Sequence, residues 1–449
     1  MSQLGEAILR YHKLLEQPGY RDTAWADQFQ EQMRQRHLVD SGRLLAPVLR
    51  PHFISRRQLE ALTRLSSQMA EILERVEAIA FASPSLLNRL QMLPAEKMLA
   101  AVPHGYTRSG VTASMDANLR NGSLSLQGVD ACRPAGLVYA NILADLFLEL
   151  PSVKEFKRGR YKLSKLGGPK QLMQAVQSAY RQFGGKNKPA IAIVEMGQEA
   201  GSSTEGLLLV EYLNQLGGNA RLTPPETLEY SGGKLRSGDF AIDVVFRRVL
   251  TRELLTRWDL SHPLLQAYRA HAVCVVNSFR SEFAQRRALF DLLTDEAVTA
   301  HLPTADRKLI RNSVSWTRVV SARKTTHGDE KIDLPEFILN QREHLVLLPN
   351  EDSTDQRAYI GAEMTQPAWD RALRLALRSP YVVQERPLSA RESFPLYQYG
   401  EFKMKEAEVT VHPHVLNGEM SGASALLQTY MEGSAAHLAV APVLLLEEA

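Results

Sequence analysis

PAIAIVEMGQEAGSSTEGLLLVEYLNQLGGNARLT, residues 189–223, decides the fold class. PAIAIVE is a short, nearly unbroken apolar run, the pattern of a parallel strand covered on both faces. STEGLLLVEYLNQLGG has helical character, with an N-cap at Ser203 or Thr204 and Gly217 at its end. NARLT then resumes as a strand, and strand, helix, strand in this order predict an open parallel sheet and an α/β chain. MGQEAGSST lacks both the glycine spacing and the acidic partner of a dinucleotide site, so the sheet is Rossmann-like in form only.

Upstream, SRRQLEALTRLSSQMAEILERVEAIAF (55–81) places Leu59, Leu62, Leu65, Met69, Ile72 and Val76 at three- and four-residue steps. This predicts a helix with one buried face, packed on the chain's own core rather than on a partner. From Val102 to Val129, glycines and Asn121 punctuate alternating runs such as SLSLQGV, the pattern of a small antiparallel sheet. PAGLVYANILADLFLEL (134–150) reads as a helix with Pro134 in its first turn. KRGRYKLSKLGGPK (157–170) reads as a basic linker at a domain boundary, with phosphate binding as the alternative.

Downstream, AIDVVFRRVL (241–250) ends a strand on Arg247 and Arg248, at the carboxyl edge where open α/β sheets place ligands. Two guanidinium forks there suit a carboxylate or phosphate; a salt bridge to Asp239 or Asp243 is the competing reading. HAVCVVNSFRSEFAQRRALFDLL (271–293) repeats the arrangement, with Asn277 and Arg280 in a polar turn and a helix carrying Arg286 and Arg287. SVSWTRVVSARKTTHGD (313–329) adds Trp316, Arg318, Arg323 and Lys324.

The chain's 449 residues exceed one ordinary core and predict several domains. Its 44% hydrophobic and 23% charged residues are globular proportions, and a net charge of +3 provides no field to recruit nucleic acid or anionic lipid. Cys132 and Cys274 have neither metal nor redox spacing and read as buried free thiols. The N-terminal residues lack the apolar stretch of a signal peptide, so a cytoplasmic protein is expected. HLAVAPVLLL (437–446) is about half the roughly 20 residues of a membrane span and reads as a buried strand.

AIDVVFRRVL, AVCVVNSFRSEFAQRRALFDLLTDE, SWTRVV, HLVLLPNEDSTDQRAYIGAEM and YVVQERP, in this order, resemble the successive motifs of type 2 circularly permuted ATP-grasp proteins, relatives of glutathionylspermidine synthase. CRPAGLVYANILADLFLELP (132–151) resembles the family's substrate-side segment, so the resemblance covers roughly residues 100–449. It implies a helical N-terminal region (1–100), a substrate-side segment (101–185), a Rossmann-like pre-ATP-grasp domain (186–275) and an ATP-grasp-like module (276–449). The implied chemistry is an ATP-dependent ligase that activates a carboxylate as an acyl phosphate and passes it to an amine, with ATP and Mg2+ as cofactors.

By the same resemblance, Arg248 and Arg318 take catalytic positions, and Asp130, Arg247, Asn277, Arg280 and Trp316 face substrate. Gln384 and Glu385 contact the nucleotide base, Arg287 stands for a phosphate-binding lysine, and Glu432 is a remaining magnesium ligand. Several motifs depart from the family. Leu348 replaces a strand-terminal lysine, and EDSTDQR, with Glu351, Asp352 and Asp355, replaces a glycine-rich loop whose bare N–H groups would approach phosphates. His412 stands near an expected acid, Gln428 or Thr429 near an expected Asn, an arginine after Gly422 is missing, and Gly128 and Asp130 replace an acidic-Asn pair. His412 and His414 share a strand face, as a two-histidine metal site or as two exposed histidines. These departures favour a nucleotide- or carboxylate-binding relative with reduced or lost ligase chemistry, working alone or beside a partner enzyme or paralogue. The alternative is an active carboxylate–amine ligase with altered phosphate contacts. Neither a nucleic-acid nor a membrane partner is expected.

Overall fold

A computed structural model describes residues 3–448 apart from 41, 121–122, 169, 197–203, 352–355, 387–389 and 430–436. Strands Ala190–Val194, Asn219–Thr223, Val244–Arg247 and Cys274–Val276 form the expected parallel sheet, with Val244–Arg247 and Ala190–Val194 at its centre. Phe246 lies beside both Ile193 and Val276. The central strands are apolar on both faces because core packs on each: Val244 and Phe246 join one cluster, Val245 another.

Ser55 caps helix Arg56–Ala82 by accepting the N–H of Gln58, whose side chain returns to the Ser55 N–H. The helix buries Leu62, Leu65, Met69, Ile72, Leu73 and Val76; of the predicted stripe only Leu59 is partly exposed. It runs against the large eight-stranded sheet, whose main path is His52–Ile54, His437–Glu448, Glu419–Thr429, Glu401–Leu416, Thr112–Arg120 and Ser123–Asp130. The C-terminal apolar run is therefore an interior strand of that sheet.

Three local expectations change. Tyr161–Lys165, read as linker, is a strand paired antiparallel to His437–Glu448. Tyr161 and Leu163 point into the core while Lys162 between them faces water, an alternation hidden by the basic composition. Pro134 lies ahead of its helix, which runs from Tyr139 to Glu149. Likewise Arg286 and Arg287 sit in the break between helices Glu282–Gln285 and Ala288–Leu293, not within one helix.

A four-stranded antiparallel sheet, Thr317–Val319, Tyr381–Glu385, Leu345–Pro349 and Tyr359–Ile360, carries the last motifs. Alternation gives it two apolar faces. Val320, Leu345, Leu347 and Val383 pack on Trp369 and Leu373, whereas Val319, Val382 and Leu348 pack with Leu289, Phe290 and Leu126. Among the described residues no helix is long and apolar enough to cross a membrane.

Candidate functional site

At the carboxyl edge of the parallel sheet, Arg247 is buried and closed in by the protein. Its guanidinium donates to the carbonyls of Val249, Asn277 and Ser278 at 2.8, 3.1 and 2.9 Å, pairs with Glu282, and lies 4.6 Å from the centre of the Phe279 ring. The acid is Glu282, not Asp239 or Asp243: Asp239 pairs with Arg221, and Asp243 accepts the Ala190 N–H. Asn277 donates its amide to Thr112 O and Ala131 O, and accepts the Thr112 N–H. Asp130 accepts the N–H groups of Cys132 and Arg133, each at 2.9 Å. Burial pushes the Cys132 thiol up to about 12, so it stays protonated beside Arg247.

Arg248 lies between the chain's own carboxylates. It donates to Glu195 at 3.3 Å and to the carbonyl of Pro134 at 3.2 Å. Glu205, fully buried in the first turn of helix Thr204–Gln215, accepts the Val138 N–H at 2.8 Å. Burial raises the Glu205 carboxyl pKa, against the pull of Arg248 and of the N–H groups of Val138, Tyr139 and Gly136. Sequence reasoning missed both acids. Glu195 was legible as the one charge ending an apolar strand; a glutamate in a helix's first turn carries no such signal.

The remaining residues divide between other elements. Arg280 turns to helix Arg56–Ala82, pairing with Glu77 at 2.6 Å and stacking 4.0 Å from the Phe81 ring. Arg287 donates to the carbonyl of Pro349 at 2.8 Å, and its N–H bonds to Asn350 O. Glu432 lies outside the described residues. His412 faces Asp116 at 3.4 Å, whereas His414 is buried against Ser424 at 3.2 Å, so the pair is not two exposed histidines.

The small sheet gathers four more predicted residues. Gln384 donates to Thr317 Oγ1 at 3.0 Å, Glu385 and the His327 ring lie 2.7 Å apart, and Trp316 donates its indole N–H to Thr326 O at 2.9 Å. Arg318, buried, donates to Thr294 Oγ1, Thr317 O and Thr325 Oγ1 at 2.8, 2.7 and 3.0 Å, and lies 5.1 Å from the Trp316 ring. Beside Trp316 and Glu385 opens a cleft of about 390 Å³ whose wall is helix Thr304–Ser313.

The segment expected to close over phosphates is anchored at its base. Asn350 is buried, donating to Leu90 O at 2.9 Å and accepting the Ala288 N–H at 2.8 Å. Glu351 pairs with Arg286, which also holds Glu96 at 2.7 Å. Asp352 and Asp355 lie outside the described residues.

Against solved structures, the chain resembles a glutathione synthetase-like effector from Globodera pallida, in its apo form, at a TM-score of 0.59 and 12% identity, over 96% of this chain and 98% of that one. The fold is glutathione synthetase-like. Weaker likenesses, too slight to bear on the argument, are to a putative gamma-glutamylcysteine synthetase from Methylobacillus flagellatus (TM-score 0.41, 11% identity, 85% of each chain) and to a RimK-domain ATP-grasp protein from Sphaerobacter thermophilus (TM-score 0.27, 16% identity, 56% of this chain and 90% of that one). No family model and no curated protein sequence matches the chain. The glutathione synthetase-like fold thus carries two separate polar clusters, one around Asp130, Arg247, Arg248 and Asn277, the other around Trp316, Arg318, Gln384 and Glu385.

Proposed function

We propose that this chain descends from the ATP-dependent carboxylate–amine ligases and binds a nucleotide or a carboxylate, with ligase chemistry reduced or lost. One observation carries the reading: cations assigned by the motif order to phosphate and carboxylate are engaged inside the protein. Arg247 is held by Glu282, Arg248 by Glu195, Arg287 by Pro349 O, and Arg318 by Thr294 and Thr325. Phosphoryl transfer depends on positioned charge, and a guanidinium already satisfied by buried partners must break them before it stabilises a transition state.

Two further features agree. Leu348, standing where the motif has lysine, packs against an apolar cluster. The base of the loop that would cover phosphates is fixed through Asn350 and Glu351. These residues do not fit a magnesium triphosphate, the group that acyl-phosphate formation requires. The base-side residues do fit a heterocycle: Glu385 is partly exposed beside Trp316, and both line the cleft.

The test is ADP release from magnesium ATP over a panel of amino-acid and peptide carboxylates, each with and without amine acceptors, run beside calorimetric titration with ATP, ADP and the carboxylates. Binding without turnover is expected. Release of ADP that depends on both carboxylate and amine would sink the proposal in favour of an active ligase.

A further inference from the structure

The cleft beside Trp316 contains two cations that the motif order does not assign. Arg307 and Arg311 lie one turn apart on helix Thr304–Ser313 and both line it, together with Thr294, Glu296, Thr299, Trp316 and Glu385. Unlike the arginines above, they are exposed and weakly held. Among the described residues the Arg307 guanidinium bonds only to Thr304 Oγ1, at 3.3 Å, and pairs with no carboxylate. Arg311 reaches Glu296 at 3.8 Å, a long pair with both side chains mostly in water. Like charges four residues apart on a helix repel, so an anion between them removes a cost as well as adding two charge-assisted contacts.

The rest of the cleft suits a flat amino-heterocycle. Ile310 and Val314 make one wall apolar. Trp316 is held in orientation by its bond to Thr326 O and by the edge-on His327 ring, 5.0 Å between centres. Glu385 keeps acceptor capacity beyond its contact with His327, and an exocyclic amine would use it. A volume of about 390 Å³ falls in the range of roughly 300–1,000 Å³ for small-molecule sites.

From this combination we infer that the cleft binds a nucleoside monophosphate, its base beside Trp316 and Glu385 and its phosphate between Arg307 and Arg311, without a metal ion. The inference rests on the nucleotide-binding reading above and narrows it, because the anion contact lies on helix Thr304–Ser313 instead of along Arg287 and Leu348.

Calorimetry of the full chain with AMP, adenosine, inorganic phosphate and ATP, in EDTA and again in Mg2+, tests it. AMP is expected to bind in EDTA at least about tenfold more tightly than adenosine. The R307A/R311A double variant should bring AMP to the affinity of adenosine while leaving the thermal midpoint unchanged, both side chains being exposed. Absence of AMP binding, an AMP affinity untouched by the double variant, or binding only as the magnesium complex of ATP overturns the inference. A chain that binds ADP or a carboxylate but not AMP retains the broader proposal. Carboxylate- and amine-dependent ADP release overturns the broader proposal through a separate measurement.

Discussion

Arg89 donates from both Nε and Nη2 to a single oxygen of Asp291, at 3.0 and 2.8 Å, and from Nη1 to Asp295 at 2.7 Å. Asp291 is fully buried in helix Ala288–Leu293, so this pair fastens helix Pro84–Arg89 to the helix packed beneath the small sheet. Arg89→Ala leaves that carboxylate to Arg323 at 3.3 Å and Arg318 at 3.9 Å. Removing one member of a buried ion pair costs about 3–5 kcal/mol, and a loss near the lower figure is expected in urea unfolding. A loss under about 1 kcal/mol would mean that the two other arginines compensate.

Arg247→Ala should act first on stability. It strands Glu282, which also accepts from the Thr251 N–H at 2.9 Å and hydroxyl at 2.7 Å. A double-mutant cycle with Glu282→Gln is expected to give a coupling above about 1 kcal/mol. Additive effects would show that the two side chains act independently.

His414 makes stability depend on pH. Burial, and then the nearby His412, lower its pKa from 6.5 to about 3. The unfolded chain therefore takes up a proton that the folded chain refuses. Stability from this site is complete above pH 6.5 and falls below it, by about 1.4 kcal/mol per pH unit, until the folded pKa is reached. Thermal midpoints measured from pH 7 to 4 should fall less steeply in His414→Gln. Parallel profiles would place the acid sensitivity elsewhere.

Both thiols should be silent in the folded protein. Burial pushes Cys132 and Cys274 each up to about 12, and neither is in a disulfide. Thiolate is the reactive form, so a disulfide-exchange reagent should label neither in native buffer and both in denaturant. Fast native labelling of one would indicate local opening around it.

Short apolar runs made the sheet strands legible. Residues 190–194, 219–223, 244–247 and 274–276 form the sheet that their runs predict, and 437–446 is an interior strand despite an apolar content that suggests a membrane at first sight. The pattern failed where composition masked it, at Tyr161–Lys165, and where a proline suited to a helix start lay five residues early, at Pro134. In the candidate site, motif order identified arginines but not their partners. Asp291, alone in the apolar run ALFDLL, was the visible clue to a buried counter-charge; Glu205 and Glu282 offered none.

By itself the sequence determined the α/β class and the positions along the chain at which cations gather, because periodicity and side-chain chemistry are local properties of the chain. Only the tertiary structure decided which cations are open to solvent and which are enclosed by the protein. Arg247 is sealed between Glu282 and three carbonyls, while Arg307 is exposed at a cleft. That difference is set by residues tens of positions away, brought close by packing, and a guanidinium's availability depends on which neighbour reaches it.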